Sequence, residues 1–258
     1  MTGASSGIGA ATALAFAAAG ARVGVLARRR DRLEALAREV IGAGGEALVL
    51  PADVGDPDAV DRAVAQFLAR WSRVDVLVNN AGVGLTAAVE STTLDEFRLL
   101  HAVNVLGTVA ATQAVLPAMK QAGRGHIINV SSVVGRRATP WSAAYSMTKS
   151  AQVAFSESLR VELKRHGISV SVVYPVRTAT EFFEAQLRKE LVMKGPTGPV
   201  QSAEHVARAI VRCARRPRAE VYPFWPARIL ALLSVTTPKL VDLIMGRLVM
   251  RSPPPRDP

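Results

Sequence analysis

Apolar and amphipathic segments alternate along the chain almost from end to end. Short apolar segments predict β-strands at residues 22–27, 47–50, 74–79, 127–130, 168–174 and 220–222. Between them, apolar residues recur at helical spacing and predict helices at residues 31–41, 57–71, 94–119, 142–166 and 206–213. Strands that alternate with helices are typical of a parallel sheet covered on both faces. The pattern therefore predicts one α/β domain with a doubly wound sheet.

Capping residues mark several of the predicted helix ends. Asp56 is expected to cap a helix that begins with Pro57, and Thr93 and Glu96 have the spacing of a capping box. Gly167 is expected to close the helix at 142–166. In the helix at 31–41, the side chains expected on the buried face are Leu33, Leu36, Ala37, Val40 and Ile41.

The composition fits a soluble globular protein with a sizeable core, because 49% of the residues are apolar and 21% are charged. The single cysteine, Cys213, excludes an intrachain disulfide framework and a cysteine-rich zinc site, and we expect it on a helix face. The four histidines have no metal-ligand spacing, so no metal site is predicted. We expect surface or helix-end positions for His101, His126, His166 and His205.

Positive charge is concentrated near the C-terminus. The formal net charge is +11, of which the residues from His205 onward contribute +7. Such an excess raises nucleic acid or an anionic membrane surface as a partner. Only 5% of the residues are aromatic, and none is interleaved with a basic run, so no nucleic-acid partner is predicted.

Residues 226–258 form an apolar and basic tail to the domain predicted at residues 1–225. The apolar residues of the tail are Ile229, Leu230, Leu232, Leu233, Leu240, Val241, Ile244, Met245, Leu248 and Val249. They alternate with the basic residues Arg228, Lys239, Arg247 and Arg251. Such a segment can lie on an anionic membrane, cap a substrate pocket or pack against another subunit, and the sequence leaves these alternatives open.

Two uncharged stretches, residues 1–21 and 99–119, are long enough to cross a bilayer. The first lacks a basic N-terminal region and opens with a Gly/Ser-rich turn. The second contains several polar residues and Pro117. We therefore predict neither a signal peptide nor a spanning helix, and expect a cytoplasmic protein with peripheral membrane contact as one option for the tail.

A glycine-rich segment, residues 2–9 (TGASSGIG), directly precedes an Ala-rich helical segment. Glycines let the backbone approach a pyrophosphate closely, and a helix N-terminus offers unpaired N–H groups to its charge. The position of the segment before a βαβ unit predicts a dinucleotide site. Its contact residues are expected to be Gly3, Ser5, Ser6, Gly7, Ile8 and Gly9.

The residues after the strand at 22–27 predict which dinucleotide binds. In dinucleotide-binding folds an acidic residue at this place favours NAD, whereas an arginine accommodates the 2′-phosphate of NADP. Here the strand is followed by Arg28, Arg29 and Arg30, with no acid. Arg28, together with the hydroxyls of Ser5 and Ser6, therefore favours NADP(H). Arg29 and Arg30 also fit a solvated basic turn.

Tyr145 and Lys149 lie four residues apart in a predicted helix, so that their polar ends can meet one cofactor. Ser132 precedes the tyrosine by thirteen residues, and Asn104 lies in the preceding long helix. A tyrosine with a pKa near ~10 is a poor general base, but a neighbouring ammonium stabilises the phenolate and lowers that pKa. The same lysine can hold ribose hydroxyls.

Between Thr2 and about Tyr222 the chain resembles the short-chain dehydrogenase/reductase family. The resemblance rests on the glycine motif, residues 79–82 (NNAG), Asn104, Ser132 and the Tyr145/Lys149 pair, in the family's order and spacing. It implies a Rossmann-type fold and a catalytic set in which Tyr145 transfers the proton and Ser132 polarises the substrate carbonyl. Lys149 would lower the tyrosine pKa and bind the ribose, and Asn104 would hold a water that continues the proton path.

The resemblance also implies further cofactor contacts. Asp53 and Val54 match the pair at the adenine edge, and residues 80–82 match the segment beside the cofactor through Asn80, Ala81 and Gly82. After the fifth strand the family usually has Pro-Gly-x-Val/Ile-x-Thr, and here Pro175 and Thr180 match. Val176 replaces the glycine, and Thr178 replaces the Val/Ile. We therefore expect an altered geometry at the nicotinamide carboxamide, and Thr178 remains a predicted contact of the cofactor.

Several apolar residues are candidates for a substrate pocket. Trp141 precedes Tyr145 by one helical turn and either lines the pocket or packs in the core. An apolar lid over the site, or equally a plain amphipathic helix, would be formed by Phe182, Phe183, Leu187, Leu191 and Val192. A lid and tail of this composition favour a lipophilic substrate.

The first strand of the predicted sheet is missing, because the glycine motif follows Met1 directly. A central strand buries about four large side chains at ~1.5–3 kcal/mol each, against a total stability of ~5–15 kcal/mol for a domain. We therefore expect the true start to lie upstream, with an apolar strand of about 5–8 residues encoded there.

These observations predict an NADP(H)-dependent oxidoreductase that interconverts a small-molecule ketone or aldehyde with an alcohol. Two alternatives belong to other classes: a non-catalytic NADP-binding regulator on the same fold, and a membrane-surface or partner-binding protein that acts through its tail. The resemblance also implies assembly into a homodimer or homotetramer.

Overall fold

The computed structural model of the protein describes residues 1–187 and 199–249, and for Phe183, Leu248 and Val249 the backbone alone. Its helices are α1 (Gly7–Ala18), α2 (Arg30–Gly42), α3 (Pro57–Trp71), α4 (Leu94–His101), α5 (Gly107–Ala122), α6 (Ala143–Glu162), α7 (Ala203–Arg215), α8 (Pro226–Thr236) and α9 (Pro238–Val249). Its strands are β1 (Arg22–Ala27), β2 (Glu46–Pro51), β3 (Val76–Asn79), β4 (Gly125–Val130), β5 (Ile168–Val173), β6 (Thr178–Ala179), β7 (Gln201–Ser202) and β8 (Glu220–Val221). The predicted elements are present, with ends that differ by a few residues.

The strands of the main sheet are all parallel. β1 pairs with β2, and β3, β4, β5 and β8 pair in that order. The two groups are joined by the first residues of the chain: Thr2 forms a parallel bridge with Leu26 of β1 and donates its N–H to the carbonyl of Val78 in β3. Met1 and Thr2 thus lie at the place in the sheet where the predicted first strand would end.

Helices cover both faces of the sheet, as predicted. On one face, α3, α5 and α6 pack against a cluster that includes Leu77 and Ile127. On the other face, α1 and α2 pack against β1, and α7 packs against a cluster that includes Val78 and Ile128. Neighbouring residues of β3 and β4 therefore point to opposite faces, as the pleat requires. This is the Rossmann-like arrangement that the alternating pattern predicts.

The predicted caps are present. The Asp56 side chain accepts from the backbone N–H of Ala59 at 3.1 Å at the start of α3. Thr93 and Glu96 form the reciprocal hydrogen bonds of a capping box at the start of α4. A 3₁₀ turn at Lys164–His166 follows α6 and ends at Gly167 with φ of +68°. These local signals determined where the helices begin and end.

Two sequence-based expectations about burial are wrong. Ile41 was expected on the buried face of α2, yet it is 58% exposed, because the buried stripe of this helix is narrow and ends at Val40, which leaves Ile41 at its edge. His126 was expected at the surface or a helix end, yet it is buried in β4 with its Nε2 atom 2.7 Å from Ser171 Oγ. Burial lowers the pKa of His126 to about 4.

The helical run from α4 to α5 is continuous and contains a π-helical segment at Ala102–Leu106. Residues 94–122 are long and apolar enough to cross a membrane, but half of their most apolar window is buried inside the fold. Among the described residues, α5 packs against α3, and the π segment packs against α6. The apolar character of this run is therefore that of a core helix.

The tail forms two helices, α8 and α9, bent by 120° at Thr237. Val241 is buried, and Arg137 forms an ion pair with Asp242 that ties α9 to the loop after β4. Most other large apolar side chains of the pair are exposed. We call them the tail face: Ile229, Leu230, Leu232, Leu233, Val235, Leu240, Leu243 and Ile244.

Candidate active site

The predicted site residues meet at the carboxyl edge of the parallel sheet. The glycine motif follows Thr2, the 80–82 segment follows β3, Ser132 follows β4 and Pro175 follows β5. In open α/β sheets, ligands bind outside this edge, where the strand order reverses. Here the reversal lies between β1 and β3, on either side of Met1 and Thr2.

The glycine motif forms a tight turn against the 80–82 segment. Gly3 has φ of +64°, and a Cβ atom there would lie 2.7 Å from the Cα of Ala81. The Asn80 side chain donates to the carbonyl of Gly3 at 3.1 Å, and the backbone N–H of Ala81 donates to the Thr2 hydroxyl. This packing leaves the first turn of α1 at the edge of the sheet, and the Ser6 side chain does not cap it. Its N–H groups have no intrahelical partners.

Arg29, rather than Arg28, lies against the two serines of the motif. The Arg29 guanidinium donates to Ser5 Oγ and to Ser6 Oγ, each at 3.0 Å, and lies 3.5 Å from a carboxylate oxygen of Glu181. The Arg28 guanidinium lies 3.8 Å from Asp53 and is largely exposed. Sequence reasoning assigned Arg29 to a solvated turn, because nothing local distinguishes three consecutive arginines.

Tyr145 and Lys149 lie together, as their spacing predicts, and Ser132 bonds the tyrosine, as the family resemblance implies. The Nζ atom of Lys149 lies 5.7 Å from the centroid of the Tyr145 ring. Lys149 is buried, and its ammonium donates to the carbonyl of Val130 and to Gln152 Oε1, both at 3.0 Å. No acidic side chain of the described residues forms an ion pair with Lys149. The arrangement places a phenol, a hydroxyl and an amine within one small region.

Burial dominates the acid–base properties of this group. It raises the pKa of the Tyr145 phenol above its ordinary value, and a hydrogen bond with the Ser132 side chain opposes that rise. Burial also lowers the pKa of the Lys149 ammonium to about 7. The lowered tyrosine pKa expected from the neighbouring Lys149 is therefore not found: burial outweighs it and holds the phenol in its protonated form, which is the form that can donate a proton.

Asn104 lies in the π segment and is fully buried. Its side chain accepts from the N–H of Val83 at 2.8 Å and donates to the Val83 carbonyl and to Thr148 Oγ1. These bonds hold the loop after β3 against α6 at Thr148, the residue directly before Lys149. The π bulge that turns Asn104 into this position has no signal in the apolar pattern.

Gln152 was missed by sequence reasoning. Its side chain is buried one turn after Lys149 and bridges the Lys149 amine to the backbone carbonyl of Asn104. A signal was present, because Tyr145, Lys149, Gln152 and Ser156 share one helical face that otherwise packs on the core. Polar residues on a buried helix face point to a hydrogen-bonded network.

The remaining predicted contacts lie around the same edge. Val54 is buried against Gly107, and the Asp53 side chain accepts from the N–H of Gly55 at 2.9 Å. Gly82 is so close to Lys149 that a Cβ atom there would lie 3.6 Å from Nζ.

Three residues that follow β5 lie on the other side of this edge. Thr180 packs against Gly7, where an added Cβ atom would lie 2.9 Å from its methyl group. Pro175 accepts from the N–H of Val133 at 3.1 Å. The Thr178 hydroxyl donates to the Val176 carbonyl at 2.9 Å and also accepts from Gln201, so both functions of the hydroxyl have protein partners.

Of the residues expected to form either a lid or an amphipathic helix after Thr180, Phe182 lies beside Tyr145, and the Leu187 side chain is exposed. The Phe182 ring is centred 5.7 Å from the Tyr145 ring and also packs on Gly84. The N–H of Leu187 donates to the carbonyl of Gly84 at 3.0 Å, and Gln186 bonds Thr86. The other lid candidates, Leu191 and Val192, lie outside the described residues, as does the side chain of Phe183.

A family model described as short chain dehydrogenase matches residues 1–191 of the chain. The chain belongs to the short-chain dehydrogenase/reductase family, whose members are oxidoreductases. It is 36% identical over 229 residues to the Dehydrogenase/reductase SDR family protein 7-like of Drosophila melanogaster, an alignment that covers 86% of the chain and 70% of that protein.

Among the solved structures similar to this short-chain dehydrogenase, one contains a form of NADP and another contains NADH. The alcohol dehydrogenase of Thermococcus sibiricus, complexed with 5-hydroxy-NADP, superposes with a TM-score of 0.78 at 29% identity, over 86% of the chain and 93% of that structure. The 3-ketoacyl-(acyl-carrier-protein) reductase of Brucella melitensis, complexed with NADH, superposes with a TM-score of 0.77 at 31% identity, over the same shares.

The residues at the edge fit the dinucleotide that the family implies. The glycine turn is so tight that side chains at Gly3 and Gly9 would collide with the 80–82 segment, which leaves bare backbone beside the uncapped turn of α1. Such a turn suits a pyrophosphate. Lys149 offers a buried donor without an acidic partner, which suits a ribose hydroxyl.

Proposed function

We propose that this short-chain dehydrogenase is an NADP(H)-dependent oxidoreductase that interconverts a carbonyl compound and an alcohol. The observation on which the proposal rests is the grouping of Tyr145, Ser132 and Lys149 beside the glycine turn. A dinucleotide bound on that turn would supply or accept the hydride. The chain would supply orientation, hydrogen bonds and the proton.

In the reducing direction, Tyr145 acts as the general acid. Its raised pKa keeps the phenol protonated, and the phenol O–H gives its proton to the carbonyl oxygen as the hydride reaches the carbon. The Ser132 hydroxyl donates a hydrogen bond to the same oxygen and stabilises the charge that develops there. In the oxidising direction the phenolate takes the hydroxyl proton back.

Lys149 supports this step in two ways. Of the three N–H bonds of its ammonium, two are used by Val130 and Gln152, which leaves one to face the phenol and a ribose. A positive charge beside the phenol stabilises the phenolate left after proton transfer. With a pKa near 7 in the structure, the ammonium is lost as the pH rises above neutrality, so binding of the dinucleotide should weaken in alkaline solution.

The preference for the phosphorylated coenzyme rests on the basic turn after β1. A guanidinium pairs well with phosphate oxygens, and Arg29 lies on Ser5 and Ser6 beside the glycine turn. We infer that Arg29 contributes to the 2′-phosphate site together with Arg28, which the sequence predicts for that role. The 3.5 Å contact with Glu181 is loose enough to be exchanged for a phosphate.

Arg29→Gln is expected to raise the Kd for NADPH by roughly 10–100-fold, because a hydrogen bond from a charged donor contributes about 1.5–3 kcal/mol. The Kd for NADH should change little, so the NADPH/NADH preference falls. Arg28→Gln tests the sequence-based assignment in the same titration. The matched control is Arg30→Gln, whose side chain pairs only with Glu34 among the described residues. Equal NADPH affinity in all three variants would refute the 2′-phosphate site.

We further propose that the substrate is lipophilic. The wall of the site beside Tyr145 is apolar: the Phe182 ring is centred 5.7 Å from the Tyr145 ring, and Tyr145 packs against a buried cluster of Val83, Leu85, Ala87, Phe97, Leu100 and Ala144. Steroid-like, retinoid-like or fatty-chain carbonyl compounds suit such a wall. A series of ketones and aldehydes of increasing apolar size, scored by NADPH absorbance, should show kcat/KM rising with buried apolar area.

The tail face favours peripheral contact of a cytoplasmic protein with an anionic membrane. Eight large apolar side chains are exposed on α8 and α9, and the basic residues Arg228, Lys239 and Arg247 flank them. The acidic residue of this region, Asp242, is neutralised by Arg137. An apolar face bordered by basic side chains fits the boundary between headgroups and acyl chains.

Full-length protein is expected to co-sediment with vesicles that contain phosphatidylserine, and less so at high salt. Leu232→Glu combined with Val235→Glu should weaken that binding by at least tenfold, since each buried aliphatic side chain contributes about 1.5–3 kcal/mol. Ile41→Glu, at an equally exposed site on α2, is the control. If the double variant binds vesicles like the wild type but sediments as a smaller oligomer, the tail face is instead a contact in the predicted homodimer or homotetramer.

A further inference from the structure

One buried amide links the two halves of the proposed catalytic site. Gln152 accepts from the Lys149 ammonium at 3.0 Å through Oε1. Through Nε2 it donates to the backbone carbonyl of Asn104 at 2.7 Å and to Thr108 Oγ1 at 2.8 Å. The amide therefore connects α6 to the π segment with every hydrogen-bonding atom in use.

The carbonyl of Asn104 is fully engaged by protein groups. It accepts from Gln152 and from the Thr108 hydroxyl at 2.9 Å, which accounts for both of its lone pairs. The Asn104 side chain is likewise engaged with Val83 and Thr148. At the place where the family resemblance puts a water, as a link in the proton path, the Asn104 carbonyl and both side-chain N–H groups are thus already bonded to protein groups.

We propose that Gln152 is a positioning residue that takes the place of that water, by holding the Lys149 ammonium on the main chain of the π segment. The inference rests on the proposed function, because it assigns the role through Lys149. Gln152 does not touch the reacting atoms. Its contribution is to direct the remaining N–H bond of Lys149 towards the phenol and the ribose.

The charge state of Lys149 depends on the groups around it. Of the described groups that face Nζ, only the Tyr145 phenol on the same helix is titratable. The others are uncharged: the Val130 carbonyl from β4, the Gln152 amide from α6, Gly82 from the loop after β3 and the Asn104 amide from the π segment. An acceptor bonded to an ammonium favours the charged form. Removing the Gln152 acceptor should therefore lower the Lys149 pKa.

Gln152→Met and Gln152→Glu separate this role from core packing. Methionine has nearly the same length but does not accept strongly, so the Lys149 pKa should fall by about one unit. A carboxylate at the same place should raise it by about one unit or more. Ser156→Ala is the control: it removes two buried hydrogen bonds one turn further along α6, to the backbone carbonyl of Gln152 and from the Asn129 side chain, but leaves the Gln152 amide and its bonds to Lys149 and Asn104 in place.

The measurement is an NMR titration of the lysine Nζ groups in the full chain, in which Lys149 is one of six lysines and is assigned with Lys149→Met. The proposal predicts opposite shifts in the two variants and none in Ser156→Ala. The alkaline limit of kcat/KM for NADPH should move in the same directions. An unchanged Lys149 pKa in a folded Met or Glu variant overturns it. If no carbonyl compound is turned over by the wild type, the proposed function fails, but the titration still decides the role of Gln152.

Discussion

Tyr145→Phe is expected to lower kcat for carbonyl reduction by roughly 10²–10⁴-fold, the usual contribution of a positioned general acid. The change removes one oxygen atom and keeps the ring that packs on Phe182. Ser132 can still polarise the carbonyl, but the nearby Lys149 ammonium, 5.7 Å from the ring centroid and with a pKa of about 7, is a poor substitute for a phenol held at the carbonyl oxygen. Single-turnover rates with NADPH, measured by absorbance, isolate the chemical step.

NADPH affinity and thermal stability should be nearly unchanged in Tyr145→Phe, because the change leaves Lys149 and the glycine turn intact. Tyr222→Phe is the control: it also removes a phenolic hydroxyl, one that bonds Glu220 away from the site. If Tyr145→Phe turns over at the wild-type rate, the acid must be another group. If the wild type binds NADPH but reduces no carbonyl compound, the alternative of a non-catalytic regulator is favoured.

Gly9→Ala is expected to abolish dinucleotide binding at practical concentrations, with a Kd at least ~10²-fold higher. A Cβ atom at Gly9 would lie 2.8 Å from the carbonyl carbon of Gly3 and 2.7 Å from the Asn80 amide nitrogen. Real Cβ atoms do not approach backbone so closely, so α1 must move away from the turn. The helix N-terminus then no longer faces the position of the pyrophosphate.

The same collision should lower the free energy of unfolding by about 1–3 kcal/mol, as overpacking does in other cores. Gly42→Ala provides the comparison, because Gly42 ends α2 in open space and has no contact within 4 Å of an added Cβ atom. That variant should bind NADPH like the wild type. Calorimetric titration and thermal melts of both variants test the pair, and unchanged NADPH affinity in Gly9→Ala would mean that the glycine turn is not the dinucleotide site.

Much of the fold could be predicted from the sequence because its signals are local. Alternating periodicity predicted the strands, and Asp56 and Thr93 marked helix starts through hydrogen bonds to residues three positions away. Exposure of Ile41 could not be predicted in this way, because it depends on how wide a stripe of α2 the rest of the fold covers. Nor could burial of His126, whose partner Ser171 is 45 residues away on the next strand.

In the candidate site, too, contacts within one element could be predicted, whereas contacts between distant residues could not. Tyr145 and Lys149 share a helix, so their approach follows from helical geometry. Arg29 and Gln152 act through partners far away in the chain, at Ser5, Glu181 and Asn104. A sequence pattern shows residue types and spacing, but it does not show which of three adjacent arginines turns inward.

By itself, then, the sequence determined the doubly wound α/β class and the family, and it predicted the residues that would transfer a proton and contact a dinucleotide, since these depend on periodicity and on motifs of fixed spacing. The tertiary structure alone decided that Arg29 lies on the serines, that a π bulge turns Asn104 inward, and that a buried glutamine holds the lysine. Those outcomes depend on how separate helices and loops pack at the carboxyl edge of the sheet, where a hydrogen bond forms only if both partners are brought within about 3 Å of each other.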